Sequence, residues 1–240
     1  MAVQRRPEGR SATELRPVAI EFDFTEMALA SVLIATGRTK VLCTVSVQER
    51  VPGWLRGTGR GWITAEYAMV PGATPERTER EAVAGRQRGR TVEIQRLIGR
   101  ALRSVVDLER LGERQLVVDC DVLQADGGTR TAAITGGFLA LERALERLEE
   151  AGSVQPAALM GRLAAVSVGI VDGEVLLDLD YEEDARASVD LNLVMTDAGR
   201  YVEVQGTAEG EPFSKAELVE MLRVGEAGIQ HLLRRGRSLA

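Results

Sequence analysis

Between an apolar run and a helical pattern lies QADGGTRTAAITGG, residues 124–137, which gathers an acid, paired glycines, threonines and one arginine. Glycine permits backbone conformations that free amide groups, and amides stacked at a helix start suit an anion. The apolar stretch VVDCDVL at 117–123 delivers the chain to this junction as a buried strand, and Gly136 and Gly137 lead into the helix FLALERALERLEEAG. Neither common phosphate motif is present: there is no GxxxxGK followed by Ser or Thr, and no GxGxxG. The plainer alternative is a strand-to-helix turn in which glycine redirects the chain and threonine caps the helix.

Two further segments carry charge that chemistry could use. From Glu76 to Arg103 the chain holds eight arginines against four glutamates, a local excess of positive charge on a chain of net charge -6. Arginines broken up by glycine, as in AGRQRGR, make a poor helix and a flexible loop suited to phosphates; a solvated helix face is the competing reading. Only two of the thirty basic residues are lysines, Lys40 and Lys215, so genome composition contributes to the arginine content. Asp178, Asp180, Glu182, Glu183, Asp184 and Asp190 crowd into DLDYEEDARASVDLN. Asp190 alternates with Val189 and Leu191 and so points away from them, toward solvent or a cleft. Taken singly, each of these acids reads as part of an ordinary loop, and they gain interest only where a cation or a leaving group meets them.

Other chemistries find little support. Cys43 and Cys120 sit in strand-like apolar runs as small core residues, too few for a disulfide framework or metal cluster. His231, the only histidine, falls near the end of a terminal helix, a poor place for a Ser-His-Asp triad. The 240 residues, 45% hydrophobic and 28% charged, allow a sizeable core of ordinary soluble composition. No apolar run approaches the roughly 20 residues of a membrane span, and MAVQRRPEGRSATELRP lacks a secretory core, so a cytoplasmic protein is expected.

The elements that must position these residues alternate strand and helix. Strands are expected at 17–24, 30–36 and 39–49, with Gly37 and Arg38 linking the last two, and another at 62–70. Val92, Leu97, Ile98, Leu102, Val105 and Val106 recur at helical spacing and predict one helix ending near Gly112, with Arg96, Arg100 and Arg103 on a second face. A strand at 115–123 and a helix to Ala151 close the first half. After GSVQP, Asp172-Gly173 marks a hairpin between AAVSVGIV and EVLLDLD, and Asp197 and Gly199 join VDLNLVMT to RYVEVQGTA. Ser214 and Glu217, at capping-box spacing, open a final helix. Both halves, about 10–151 and 160–236, run strands first and helix last, as an internal duplication would.

Taken together, GWITAEYAMVPGAT, the segment from GRTVEIQRLIGRALR to QADGGTRTAAITGG, and DLDYEEDARASVDLNLVMT resemble the ribonuclease PH family. These are bacterial phosphorolytic exoribonucleases related to polynucleotide phosphorylase and the exosome core, and the match runs in order from about Arg10 through the last helix. The resemblance implies a single α/β domain of the ribosomal protein S5 domain 2-like type, two-layered with helices packed on sheets. It also implies a homohexamer built as a trimer of dimers. The implied reaction uses inorganic phosphate to cleave the last RNA linkage and releases a nucleoside diphosphate, reversibly.

Carried over residue by residue, the resemblance assigns phosphate binding to Gly128, Thr129 and Arg130 in the turn and to Arg90 from the preceding loop. The physical reason is that two guanidiniums offset the charge of a nucleophile approaching an anionic diester. Asp184 and Asp190 become the acidic pair, either holding a divalent metal such as Mg2+ at the scissile phosphate or protonating the departing 3′ oxygen. Arg77, Arg80, Arg86 and Arg88, with Arg56 and Arg60, are expected to guide the RNA backbone, since only 4% of residues are aromatic and stacking platforms are scarce. The implied substrates are precursor tRNA 3′ ends, and for some members rRNA. Two rival classes stand beside this one. A catalytically silent RNA-binding subunit of an exosome-like ring would lack the arginines or the acidic pair; a small-molecule kinase would show a glycine-rich ATP loop.

Overall fold

The computed structural model describes residue 6 and residues 9–239, with side chains through 234; the opening residues 1–5, part of the polar start noted above, lie outside the described residues. Two sheets flank one buried helix. In the first half, β1 (Val18–Phe22), β2 (Ala30–Thr36) and β3 (Thr39–Gln48) form an antiparallel meander, and β4 (Trp62–Met69) follows a loop containing one 3-10 turn. Three helices come next, α1 (Glu81–Ala84), α2 (Gly89–Arg103) and α3 (Leu108–Leu111), then β5 (Gln115–Gln124). β5 inserts between β3 and β4, giving the order β1-β2-β3-β5-β4, and pairs with β4 in parallel. Along β5 burial alternates, so Leu116, Val118, Cys120 and Val122 enter the core while Asp119 and Asp121 face outward.

The central helix α4 (Thr129–Glu150) packs against β2, β3 and β5 on one side and β6 on the other. From Thr131 to Leu141 its buried residues lie all round its axis, as expected of a helix enclosed by protein, whereas the last turns keep an exposed face with Glu146, Glu149 and Glu150. The second half supplies β6 (Leu163–Val171), β7 (Glu174–Leu177), the single turn α5 (Tyr181–Asp184), β8 (Val189–Thr196), β9 (Tyr201–Ala208) and α6 (Lys215–Leu239). Its sheet is antiparallel throughout, ordered β7-β6-β8-β9, and α6 covers it. This is the mixed α/β arrangement of two sheets and helices that the sequence suggests. Both expected hairpins form, with Asp172 and Gly173 at φ 52° and 83° in the first. Ser214 and Glu217 make the expected reciprocal cap. Cys43 and Cys120 are buried register partners on β3 and β5.

Several expectations require correction. The helix predicted to run to Gly112 stops at Arg103; Val106 bridges Leu159, and Asp107 accepts hydrogen bonds from the amides of Glu109 and Arg110, restarting the chain as α3. The apolar period continues across this break, so the spacing alone conceals it. Val92, assigned to the apolar face, is 37% exposed at the helix start. Arg103 turns inward, donating to the Ile63 carbonyl at 2.7 Å and lying over the Trp62 ring. The helix α4 begins at Thr129, not after Gly137. Gly136 and Gly137 lie inside it because the sheet approaches there: a Cβ on Gly136 would come 2.6 Å from Ile34 Cγ2 and 2.9 Å from Cys43 Sγ. Among the described residues, no helix is long and apolar enough to cross a membrane.

Candidate functional site

The turn entering α4 is built from both halves of the chain. Thr39 Oγ1 accepts from the Asp126 amide and donates to the Gly127 carbonyl, tying the turn to β3. Gly127 and Gly128 adopt φ of 73° and 63°, and a Cβ on Gly127 would meet the Leu179 carbonyl oxygen at 2.6 Å. Only glycine therefore satisfies both the left-handed backbone and the close approach to the loop after β7. Arg16 completes the join. Its backbone amide and guanidinium bind the Asp178 carboxylate at 2.7–3.1 Å, and the guanidinium also donates to the Asp126 carbonyl. Thr129, the first residue of α4, is buried, and its hydroxyl oxygen accepts from Tyr67 at 2.8 Å. The hydroxyl proton is left free to donate.

The acids are placed by a second arrangement. Asp180 caps the single turn α5 through a reciprocal capping box with Glu183. Glu183 is buried and gripped by Arg6, whose Nε and Nη2 reach its two oxygens at 2.7 and 2.8 Å. With Glu183 turned inward, the next residue, Asp184, faces out of the turn. Asp190 sits on β8 on the same face as Asn192, which donates to its Oδ2 at 3.1 Å.

Arg90, Arg130, Asp184, Asp190 and Tyr67 share one electrostatic neighbourhood. Burial pushes the Asp190 carboxyl above the usual carboxylate range and the charge of Asp184 pushes it further, while Arg130, the Asn192 hydrogen bond and Arg90 oppose. Asp184 is also raised by partial burial, against the pull of Arg90, Arg130 and Arg16. The Tyr67 phenol is raised by burial, with Thr129, Arg90 and Arg130 opposing. The described carboxylates and thiols form no group of three or more suited to a metal. The pair Asp184 and Asp190 nevertheless offers hard oxygen donors, and Mg2+ commonly takes one or two carboxylates together with substrate phosphates.

Beside this cluster opens a cleft of about 820 Å³. It is lined by Arg80, Arg86, Arg88 and Arg90 from the segment leading into α2, and by Glu66, Asp119 and Asp121 from β4 and β5. The segment expected to be a loop contains the short α1 and a left-handed Gly85, and α2 begins at Gly89, so Arg90 belongs to a helical first turn and not to a loop. Arg77 is exposed just before the segment that lines the cleft. Arg56 and Arg60 are exposed on the loop before β4, whose Gly59 amide donates to Glu113. That is the far end of β4 from Tyr67, about 20 Å along the strand. Tyr67, Asn192 and Arg16 escape sequence reading, as does the pairing of Asp178, read there only as one acid of a run, with Arg16. Only Asn192 leaves a local signal, as a polar residue two positions from Asp190 in an apolar strand.

Two cations and two carboxylates around a glycine turn define an α/β protein able to hold one anion beside another. Models of the 3′ exoribonuclease family match residues 14–145 as domain 1 and residues 161–228 as domain 2, and the chain belongs to that family. A curated ribonuclease PH from Moorella thermoacetica is 58% identical over 228 residues, covering 95% of this chain and 91% of the relative. Among solved structures, the Archaeoglobus fulgidus exosome with RNA bound to the active site aligns with a TM-score of 0.79 at 24% identity, covering 97% of this chain and 92% of that one. An archaeal exosome core aligns at 0.75 and 22% identity, covering 97% and 91%. At such identities these two structures speak for the fold.

Proposed function

We propose that this chain is a phosphate-dependent 3′-to-5′ exoribonuclease, acting reversibly as a nucleotidyltransferase on precursor tRNA 3′ ends and on rRNA. Kinship with ribonuclease PH at 58% identity supports the activity. The observation that carries the mechanism is the shared electrostatic neighbourhood of Arg90, Arg130, Asp184 and Asp190, with Arg130 in the first turn of α4 just after Gly128. Inorganic phosphate sits on Gly128, Thr129 and the first-turn amides of α4, between the Arg90 and Arg130 guanidiniums. One of its oxygens forms a bond to the terminal phosphorus. The bond from that phosphorus to the 3′ oxygen of the preceding nucleotide breaks, and the 3′ oxygen leaves with the electron pair.

Asp190 delivers the proton to that oxygen; its raised pKa keeps it protonated to higher pH than a free aspartate. Asp184, on the outward side of α5, would hold Mg2+ together with substrate phosphate oxygens, leaving Asp190 free to carry the proton. The ion, when bound, offsets negative charge on the scissile phosphate. Tyr67 orients Thr129. Arg77, Arg80, Arg86 and Arg88 lead the RNA backbone toward this point. Arg56 and Arg60, remote within one chain, fit a strand path that passes between copies in a homohexameric ring, a trimer of dimers. The chain works as one unit from its first residue to its last, with the reacting groups drawn from both halves, and its setting is the cytoplasm.

The test is product analysis. A 3′-extended RNA incubated with the protein should yield nucleoside 5′-diphosphates only when phosphate is present, and RNA should be extended from nucleoside diphosphates in reverse. Undiminished release of monophosphates in phosphate-free buffer sinks the reading. Absence of any product points to the silent ring subunit. Sedimentation should show a species several times the 26.0 kDa chain, and a fully active monomer contradicts the ring.

A further inference from the structure

Arg130 is not held by the turn that carries it. Its side chain is 16% exposed, and the partners that fix it come from elsewhere. Its Nη1 donates to Gln205 Oε1 of β9 at 2.7 Å and lies 3.5 Å from Glu93 Oε1 of α2. Gln205 Nε2 donates in turn to Glu93 Oε1 at 3.0 Å. A closed triangle thus joins the start of α4, the second sheet and the helix that also carries Arg90, three residues before Glu93.

We propose that Gln205 and Glu93 are positioning residues that set the Arg130 guanidinium for phosphate. The inference rests on the phosphorolytic reading above. A guanidinium has five donors in a planar fork, and committing Nη1 to Gln205 fixes that plane while the Nε and Nη2 edge remains available to an anion. A free arginine would lose rotamer freedom each time phosphate bound; here that ordering is already done by the fold. Gln205 is suited to the task because its amide accepts from Arg130 and donates to Glu93 at once, without adding charge. Glu93 plays two opposed parts. It anchors Gln205, and its charge partly offsets that of Arg130. The two parts can be separated by substitution, because glutamine in place of glutamate keeps the acceptor and removes the charge.

The experiment is phosphorolysis of a 3′-extended RNA by the full-length protein, with phosphate varied at saturating RNA and RNA varied at saturating phosphate. Gln205→Leu should raise the KM for phosphate about tenfold, by the loss of a hydrogen bond to a charged group, with a smaller change in kcat and little in the KM for RNA. Glu93→Leu should raise the phosphate KM as well, whereas Glu93→Gln should lower it. Opposite signs at one position are not produced by a general loss of folding. Gln205→Asn, which withdraws the amide by one methylene, should give an intermediate rise and decides the matter if Gln205→Leu does not fold. An unchanged phosphate KM in the folded Gln205 variants, or equal rises for phosphate and RNA, overturns the positioning role while leaving the phosphorolytic reading intact. A wild-type protein that releases nucleotides without regard to phosphate overturns both.

Discussion

The molecule contains two clusters of arginine and acid, meeting at the sequence neighbours Glu183 and Asp184, and they are built to opposite ends. In the first, Arg6 and Glu183 bury their side chains to 7% and 3% exposure and meet at both carboxylate oxygens. The remaining Arg6 donors reach the carbonyls of Ser11 and Leu177, and Arg10 adds a further contact to Glu183. Little bonding capacity is left over. In the second cluster, Arg90 and Asp184 form no side-chain hydrogen bond among the described residues. Arg130 engages by one nitrogen, and Asp190 accepts from Asn192 alone. The same residue types thus make a closed structural joint in one place and a set of unspent donors and acceptors in the other. Their titration diverges accordingly. Burial would raise Glu183, but the hydrogen bonds and charge of Arg6, the Asp180 amide and Arg10 outweigh it and hold the carboxyl low. Asp184 and Asp190 are raised.

The contrast is broken most sharply at Asp190. Asp190→Asn should cut turnover by roughly a hundred- to ten-thousand-fold, the range for loss of a general acid. It should also melt no lower than wild type at pH 7.5, since it removes a carboxylate whose ionisation burial disfavours. The sign follows from linkage: a carboxyl raised by folding adds stability below its unfolded pKa and loses that contribution as pH rises through the folded value. The advantage of the asparagine variant in thermal melts should therefore shrink as pH falls into the acid range. Near-normal turnover at saturating substrates leaves Asp190 as a half-buried strand acid with no part in the chemistry.

Glu183→Ala should do the reverse. Leaving Arg6 buried without its partner costs about 3–5 kcal/mol, read in denaturant melts, with residual activity tracking the folded fraction. Because Glu183 is held low, its contribution is present above the unfolded value and lost as pH falls through the folded one. Acid melts of wild type and variant should accordingly converge. Arg130→Ala and Arg90→Ala should raise the phosphate KM roughly ten- to more than a hundred-fold, equivalent to 1.5–3 kcal/mol, with RNA binding and melting temperature largely kept. The smallest effect belongs to Arg86→Ala and Arg88→Ala. Each should weaken RNA binding and reduce its salt slope by about one, measured by titration at several ionic strengths, while short oligomers are still degraded.

The open cluster is the more legible of the two in sequence. Arg130 stands beside paired glycines, Asp190 breaks an apolar strand, and Arg90 ends a run of glycine and arginine, so each leaves a local mark. The closed cluster leaves none: Arg6 and Glu183 lie 177 residues apart, Arg16 and Asp178 162, and nothing in either neighbourhood points to the other. Strands and hairpins are legible because alternation and Asp-Gly turns are local signals. The errors fall where tertiary contact overrides local preference. Gly136 and Gly137 read as a helix boundary by their poor propensity, yet Ile34 and Cys43 require glycine at 136, inside the helix. The break at Asp107 is hidden by an apolar period that continues through it.

Because α4 as far as Leu141 is enclosed between two sheets, the amides of that stretch have no route to solvent short of separating the halves. Hydrogen exchange along the middle of this helix should therefore proceed only through opening of the whole core, at the slowest rates in the chain. The turn proposed to hold phosphate is the end of that same helix, so the free energy protecting the core also fixes the orientation of the amides at the turn. A ligand bound there should slow exchange far beyond the atoms it touches, through residues that lie at the centre of the molecule.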